Sequence, residues 1–321
     1  MACVIVAVCA LITLHVAEGQ SPGKPYRVGV IYHGEGYAAL VEGLRQGLRE
    51  QGLEEGKHII LDIRVTRGDL KAVEEAAREL EHGKVDLLYT VATSVSIAAK
   101  RATTHTPIVF FAGSDPVAAG LVESLARPGG RATGVHGLAT DLTAKRLQLL
   151  TEIIPGLRRV VTFYNPANAV ARESVRLGRE AAQKLNVQFI ERHVGSIDEL
   201  RRSLRELKPR EVDAFFQVSD AMVTSQAPLV IEAARALRLP TMFYEESLVG
   251  KGALASYGQN YRESGRITAK QVQRILAGTS PNDVPVENYD RIALSLDLRV
   301  AREAGLAIPS TVRFRADTLV E

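Results

Sequence analysis

The sequence lacks residues on which several common chemistries depend. It contains no tryptophan and only two cysteines, Cys3 and Cys9, both within an apolar N-terminal stretch. If export removes that stretch, the mature chain has no disulfide, no thiol nucleophile and no cysteine-bound metal. The formal net charge is only +3 and is spread over mixed runs such as RESVRLGRE. No basic block therefore indicates nucleic acid as a partner.

Familiar catalytic motifs are absent as well. The sequence contains no G-x-S-x-G elbow, no H-E-x-x-H pair, no P-loop and no cluster of cysteine and histidine. The six histidines that follow the N-terminal stretch are isolated from one another along the chain. We therefore expect neither an enzyme nor a bound metal or cofactor.

The N-terminal stretch is typical of a secretory signal peptide. Residues 3–16 are apolar except for Thr13 and His15, too short a run to span a bilayer comfortably, and small and polar residues follow. Cleavage is expected after Gly19, with Ala17 as the alternative. We accordingly expect a signal peptide over residues 1–19 and a periplasmic or other extracytoplasmic location.

Strand-like and helical segments alternate along the rest of the chain. RVGVIYH, HIILDIRV, VDLLYTV and PIVFFAG are typical of strands and are separated by amphipathic helical runs. A second series begins after RATGVHG, so the pattern predicts an α/β fold of two doubly wound parallel-sheet lobes joined by a hinge. The expected first lobe is 26–139 plus 252–280, and the second is 140–251 plus 281–321. A small solute is expected to bind in the cleft between them.

The first strand leads into a glycine pattern that resembles a dinucleotide-binding turn. Gly34-x-Gly36-x-x-Ala39 fits the loose fingerprint of such sites. The acidic partner of that fingerprint should end the second strand, however, and Asp62 lies in the middle of IILDIRV. Glu35 would also place a negative charge beside the pyrophosphate. The glycines are therefore interpreted as a tight strand-to-helix turn that lines the cleft.

Polar residues at strand ends are the first candidates for ligand contact. Thr93 and Ser94 open a helix whose free backbone N–H groups suit an anion, whereas Asp220 or Glu245 in the opposite lobe would suit an ammonium group. The pairs Ser114-Asp115 and Ser219-Asp220 are compatible with helix capping as well as with binding. The tyrosines at or near strand ends can present a ring to a ligand, and these are Tyr37, Tyr164, Tyr244 and Tyr257.

Four stretches together are similar to a known family. They are TPIVFFAGSDPVAAGLVESLARPGGRATGV, AKRLQLLTEIIPGLRRVVTFYNPAN, GALASYGQNYRESGRITAKQVQRILAGTSPNDVPVE and LDLRVAREAGLAIPSTVRFRADTLVE. They resemble ABC-transporter substrate-binding proteins, including the binding components of tryptophan and tyrosine importers. The resemblance implies a non-enzymatic type I periplasmic-binding fold with three crossovers between the lobes, and a permease and its ATPase as partners.

The resemblance also implies where the ligand loops lie. They would fall at 33–37 (with Glu35 and Tyr37), Thr93-Ser94, Ser114-Asp115, Tyr164-Asn165, Ser219-Asp220 and the region of Glu245 and Tyr257. The first loop, HGEGY, departs from the serine-rich version common in relatives, so the ligand is left open.

The leading expectation is a monomeric solute receptor for an amino acid or a similar small zwitterion. A sensory module for a membrane partner remains an alternative because it would need the same fold. An exported two-lobed α/β enzyme is less favoured, since amino-acid racemases of this shape use paired cysteines. A transcriptional regulator would need a DNA-binding domain where the signal peptide lies.

Overall fold

The computed structural model describes residues 24–321, so the expected signal peptide lies outside the described residues. Within 24–321, no helix has both the length and the apolar character that crossing a membrane requires. The described chain forms two α/β lobes, each built on one sheet. The predicted fold class is thereby confirmed.

The first lobe contains a six-stranded sheet in which every neighbouring pair is parallel. Its strands are β1 (Tyr26–Tyr32), β2 (Ile59–Val65), β3 (Leu87–Val91), β4 (Ile108–Ala112), β5 (Ala132–His136) and β11 (Glu287–Asn288), in the order β11-β5-β4-β3-β1-β2. Its helices are α1 (Ala38–Glu50), α2 (Leu70–His82), α3 (Thr93–Ala102) and α9 (Tyr261–Leu276), and a 3-10 turn, Glu35–Tyr37, precedes α1. Every residue of β3 and β4 is buried, as expected of parallel strands covered by helices on both faces.

The second lobe repeats this arrangement on a seven-stranded sheet. Its strands are β6 (Arg159–Tyr164), β7 (Gln188–His193), β8 (Ala214–Phe216), β9 (Thr241–Glu245), β10 (Ala255–Gln259), β12 (Ile292–Asp297) and β13 (Thr318–Val320), in the order β13-β12-β10-β9-β8-β6-β7. Only the β10–β12 pair is antiparallel. Its helices are α4 (Thr143–Ile153), α5 (Ala169–Leu185), α6 (Ile197–Glu206), α7 (Ala221–Ser225), α8 (Ala227–Ala236), α10 (Leu298–Glu303) and α11 (Ser310–Phe314).

Both sheets share one strand order around their first strands, β2-β1-β3-β4-β5 and β7-β6-β8-β9-β10. In such doubly wound sheets, ligands bind beyond the carboxyl ends of the strands where the winding reverses. That point lies between β1 and β3 in one lobe and between β6 and β8 in the other. The fold therefore directs the loops after these strands toward the space between the lobes.

The chain passes between the lobes three times, at β5 to α4, at β10 to α9 and at β11 to β12. This corrects the predicted lobe assignment at two places. Residues 255–259, predicted with the first lobe, form β10 between β9 and β12 of the second sheet. Residues 287–288, predicted with the second lobe, pair with β5 of the first. An apolar strand pattern identifies a strand but not the sheet that it joins.

Helix α9 is attached to the first lobe by very close packing on α1. A Cβ atom at Gly43 would lie well within 3.0 Å of the carbonyl oxygen of Arg262, and one at Gly265 equally close to that of Leu40. The helices can therefore approach only because these positions lack side chains. This contact fixes Tyr261, the first residue of α9, at the crossover between the lobes.

Substituting Gly43→Ala tests this contact. Alanine in a helix interior ordinarily stabilises by about 1 kcal/mol relative to glycine. Here the added methyl meets backbone, so we expect the free energy of unfolding to fall by about 1–3 kcal/mol. Urea unfolding measures it, and Gly130→Ala, where a Cβ would meet nothing within 4 Å, is the matched control. Stabilisation by Gly43→Ala would contradict the close packing.

His33 joins the end of β1 to the loop that follows β2. Its Nδ1 lies 2.8 Å from Thr66 Oγ1 and accepts the N–H of Gly68 at 3.0 Å, and its side chain is buried. Burial lowers the pKa of His33 to about 4, although nearby Asp69 opposes the shift. A neutral imidazole therefore holds the base of the Gly34 turn.

This predicts a pH dependence of stability. Between pH 6.5 and 4, His33 is protonated in the unfolded state but stays neutral in the folded state. The free energy of unfolding therefore falls as the pH falls through that range. The loss at the low end is about 3 kcal/mol for this group. Urea unfolding from pH 7 to 4.5 should show a steeper loss for the wild type than for His33→Gln, while replacing exposed His82 by Gln leaves the wild-type slope. Equal slopes for all three proteins would refute this role.

Candidate functional site

A cavity lies between the carboxyl ends of the strands of the two sheets. It contains about 350 Å³ of space free of protein atoms, part of which is open to solvent. Its walls come from both lobes and from two of the crossover segments. The lining residues are Tyr37, Ala92, Thr93, Ser94, Phe111, Gly113, Ala139, Asn168, Val170, Ser219, Ala221, Tyr244 and Tyr261. The cavity thus occupies the place at which doubly wound sheets bind ligands.

The two lobes contact each other at one side of this cavity. A Cβ at Gly36 would lie well within 3.0 Å of the carbonyl oxygen of Thr224, so the turn after β1 meets α7 backbone to backbone. Behind this contact, the buried core of the first lobe continues through Tyr37 to Tyr244 and Ala221 of the second. The cleft is therefore closed in this structure, and the second glycine of the turn serves the contact between lobes.

Asp62 does not supply the acidic group that a dinucleotide site would need. It lies in the middle of β2, where its carboxylate contacts the guanidinium groups of Arg64 and Arg27, the latter at 3.5 Å. Its role is an ion pair on the face of the sheet. The first glycine, Gly34, has a φ of 140° and shapes the turn itself.

Aromatic rings form much of the cavity wall. The rings of Tyr37 and Tyr261 stack with their centroids 5.7 Å apart, and Phe111 meets Tyr261 edge-on at 5.6 Å. The Tyr244 hydroxyl is hydrogen-bonded to Thr224 Oγ1. Burial raises the pKa of Tyr37, Tyr244 and Tyr261, so their hydroxyls remain neutral. The wall therefore offers rings and uncharged hydroxyl groups to a ligand.

The start of α3 gives the cavity an anion-favouring wall. Within the described chain, the backbone N–H groups of Thr93 and Ser94 have no acceptor. Thr93 Oγ1 accepts the N–H of Gly113 at 3.1 Å and lies 3.0 Å from Ser114 Oγ, which fixes the turn. Ala92 before it has a φ of 88°, a conformation that costs a non-glycine residue of order 1–3 kcal/mol. This strained conformation of Ala92 orients the first turn of α3 toward the cavity.

The predicted acidic partner, Asp220, is used by its own lobe. Its Oδ1 accepts the N–H of Val223 at 2.9 Å, and its Oδ2 accepts the N–H of Asn165 at the same distance. The side chain is completely buried, and burial raises the pKa of its carboxyl group. It caps α7 and does not line the cavity, whereas the preceding Ser219 does and has an Oγ without a partner among the described residues.

Four of the twelve predicted site residues line the cavity, namely Tyr37, Thr93, Ser94 and Ser219. Ser114 lies directly behind Thr93. The other seven, which the sequence analysis placed at the ligand, lie elsewhere in this closed arrangement: Glu35, Asp115, Tyr164, Asn165, Asp220, Glu245 and Tyr257. Most of them follow strands, where a short polar side chain caps the next turn.

The structure shows what each of these residues contacts instead. Asp115 accepts the N–H of Val117 at 2.8 Å, and Asn165 Oδ1 accepts that of Ala167 at 2.9 Å. Glu245 accepts both the N–H and the hydroxyl of Ser247. The Tyr164 hydroxyl contacts Glu191 and His193, both at 2.9 Å, and Tyr257 packs on the core of the second lobe. Glu35 is exposed beside a groove lined by α8 residues.

The site also contains residues that sequence reasoning missed. Asn168 and Tyr261 stand at the starts of α5 and α9, and Phe111 is the next-to-last residue of β4. Asn168 gives an ordinary helix-capping signal, and its Oδ1 does accept the N–H of Val170 at 3.1 Å. Tyr261 is the first residue of a helix that changes lobes, so its position depends on a crossover that periodicity does not locate.

Comparisons with known proteins agree with this geometry. The family model described as ABC transporter substrate binding protein matches residues 27–320. Among curated relatives, the "Tyrosine-binding protein" of Clostridioides difficile (strain R20291) is 28% identical over 257 residues, which cover 80% of this chain and 73% of that protein.

Three solved structures are similar over 92% of this chain. A conserved domain protein from Vibrio cholerae is 30% identical, with a TM-score of 0.83 and all of its chain covered. An ABC domain in complex with L-Trp from Streptococcus pneumoniae is 23% identical, with a TM-score of 0.81 and full coverage. The ligand-free, open structure of a substrate binding protein with adhesive properties from Clostridium difficile is 27% identical, with a TM-score of 0.60 and 99% of it covered.

The first two structures superimpose closely on both lobes, and their type I periplasmic-binding architecture is that of this chain. The family match extends from the second residue of β1 to the last residue of β13 and so includes every element that forms the cavity. The protein therefore belongs to the family of ABC transporter substrate-binding proteins.

Proposed function

We propose that the protein is the exported solute receptor of an ABC importer, which binds a small amino acid ligand between its lobes and delivers it to a permease and its ATPase. The observation that carries this proposal is the cavity between the two sheets. The two lobes must meet for this cavity to be enclosed. In this account the protein acts in the periplasm or another extracytoplasmic space as a monomer and performs no chemistry on its ligand.

The walls favour an amino acid with an aromatic or apolar side chain. The chain has nine tyrosines, eight phenylalanines and no tryptophan, yet four of these aromatic residues line one small cavity. The free N–H groups of Thr93 and Ser94 suit a carboxylate. The names of two similar proteins mention tyrosine and L-Trp, which makes these amino acids the first ligands to test.

Closure of the lobes provides the signal to the transporter. Tyr37 and Tyr244, which line the cavity, also belong to the buried core that continues from one lobe to the other. A ligand that touches both walls stabilises the closed form more than the open one and thereby shifts the population toward it. The structure is more similar to the L-Trp complex, with a TM-score of 0.81, than to the open structure, with a TM-score of 0.60. This difference agrees with a closed arrangement of the two lobes.

A ligand screen tests the proposal directly. We expect L-tyrosine, L-tryptophan or L-phenylalanine to raise the melting temperature of the purified protein, because a ligand at 100 times its Kd stabilises the folded state by about 2.7 kcal/mol. Sugars and nicotinamide dinucleotides are the comparison ligands. A rise in melting temperature with a nicotinamide dinucleotide alone would refute the receptor function. It would support the interpretation of the first turn as a dinucleotide-binding site.

The variant Gly36→Ala tests the closure mechanism. Its methyl group would meet the Thr224 carbonyl only when the lobes are closed, so the unliganded melting temperature should change little. The affinity for the amino acid found in the screen should fall by at least about tenfold, the equivalent of roughly 1.4 kcal/mol. Calorimetry measures the affinity, and small-angle scattering should show ligand-induced compaction in the wild type alone. Unchanged affinity and compaction in the variant would exclude this contact from the closed state.

A further inference from the structure

Arg146 is a completely buried cation without an ionic partner. It lies on α4, and none of its side chain is exposed. Its Nη2 donates to the carbonyl oxygen of Ala139 at 2.6 Å and to Thr143 Oγ1 at 3.2 Å. Nε and Nη1 have no acceptor among residues 24–321, and no carboxylate of that range lies within 4.0 Å of the guanidinium group. A buried charge left in this state is costly.

The guanidinium group stands directly behind the cavity wall. It lies 5.3 Å from the centre of the Tyr244 ring, and both Tyr244 and Ala139 line the cavity. Burial lowers the pKa of Arg146 to about 10, which leaves it charged at neutral pH. The nearest influences on it are the hydroxyls of Tyr244 and Tyr261, both neutral, and the exposed Asp141. The ring of Tyr244 compensates part of the charge, but it accepts neither free N–H group.

Other buried charges around the site are satisfied differently. The oxygens of Asp220 and Glu245 accept hydrogen bonds from neighbours in their own lobe, as helix caps do. Arg146 differs from these two carboxylates because two of its nitrogens have no acceptor among the described residues. Ser219, which lines the cavity, likewise has an unpaired hydroxyl group. A guanidinium nitrogen without an acceptor can donate a charge-assisted hydrogen bond to a carboxylate.

We propose that the unpaired charge of Arg146 holds the carboxylate of the ligand, with Nη1 as the donor that reaches it, and so makes the protein select amino acids over the corresponding amines. This inference rests on the proposed function. The start of α3 belongs to the first lobe and Arg146 to the second, so a carboxylate held between them links recognition to closure of the lobes. Arg146 is then a specificity-determining residue that the linear sequence, as one of many arginines on amphipathic helices, does not reveal.

Calorimetry with matched ligands tests the inference. The probes are L-tyrosine and L-tryptophan, each compared with the amine that lacks the carboxylate, tyramine or tryptamine. The wild type should bind the amino acid about 10 to 100 times more tightly than the amine, as charge-assisted hydrogen bonds allow. Arg146→Met should lose most of that ratio by weakening amino acid binding while leaving amine binding nearly unchanged. Lys145→Met, which removes the same charge from the preceding residue of α4, should keep the wild-type ratio.

The melting temperature of the unliganded protein separates recognition from a purely structural role. If Arg146 only supports the fold, Arg146→Met lowers that temperature and keeps the wild-type preference for the amino acid, which would overturn the proposal. Should Arg146→Met not fold, Arg146→Lys carries the test, because lysine retains the charge but places no donor at the position of Nη1 and should reduce the ratio. If neither these probes nor any other amino acid of the ligand screen binds the wild type, the proposed function fails and this inference with it. Wild-type binding with an unchanged ratio in the folded variants overturns this inference alone.

Discussion

The cavity exists because two pieces of backbone come into contact across the cleft. At Gly36 the turn after the first strand carries no side chain, and it therefore reaches the Thr224 carbonyl of the opposite lobe. That approach brings Tyr37 against Tyr244 and encloses the space behind them. In a dinucleotide-binding protein a glycine at this point admits a pyrophosphate. Here the absence of a side chain allows the backbone of the opposite lobe to approach.

The buried polar groups near the cavity divide into two kinds. Asp220 and Glu245 are acidic and buried, yet each accepts hydrogen bonds from the turn that follows it, so the fold has already used them. Ser219 Oγ and two nitrogens of Arg146 are equally buried and unused by the described residues. Since folded proteins satisfy nearly all buried polar groups, these unused ones are the groups that a ligand would satisfy in the proposed mode of binding.

The sequence predicts the fold well because its signals are local. Alternating apolar strands and amphipathic helices identify the two lobes, and the turn after β1 is correctly interpreted as part of the cleft. The site is predicted less well for a physical reason: a polar residue after a strand is as useful for capping as for binding, and Asp115, Asp220 and Glu245 all serve as caps. The residues missed, Tyr261 and Arg146, reach the cavity through a crossover and through helix packing, which depend on contacts between distant parts of the chain.

The three crossovers have a consequence for how the chain folds. The first lobe is incomplete without α9 and β11, and the second lacks β12 and β13 until almost the last residue has been made. At 5–20 residues per second, the 260 residues that precede α9 take roughly 15 to 50 s to synthesise. During that time neither lobe has its full set of strands and helices. Under the proposed export, a topology that is completed late suits passage through a translocation pore before folding.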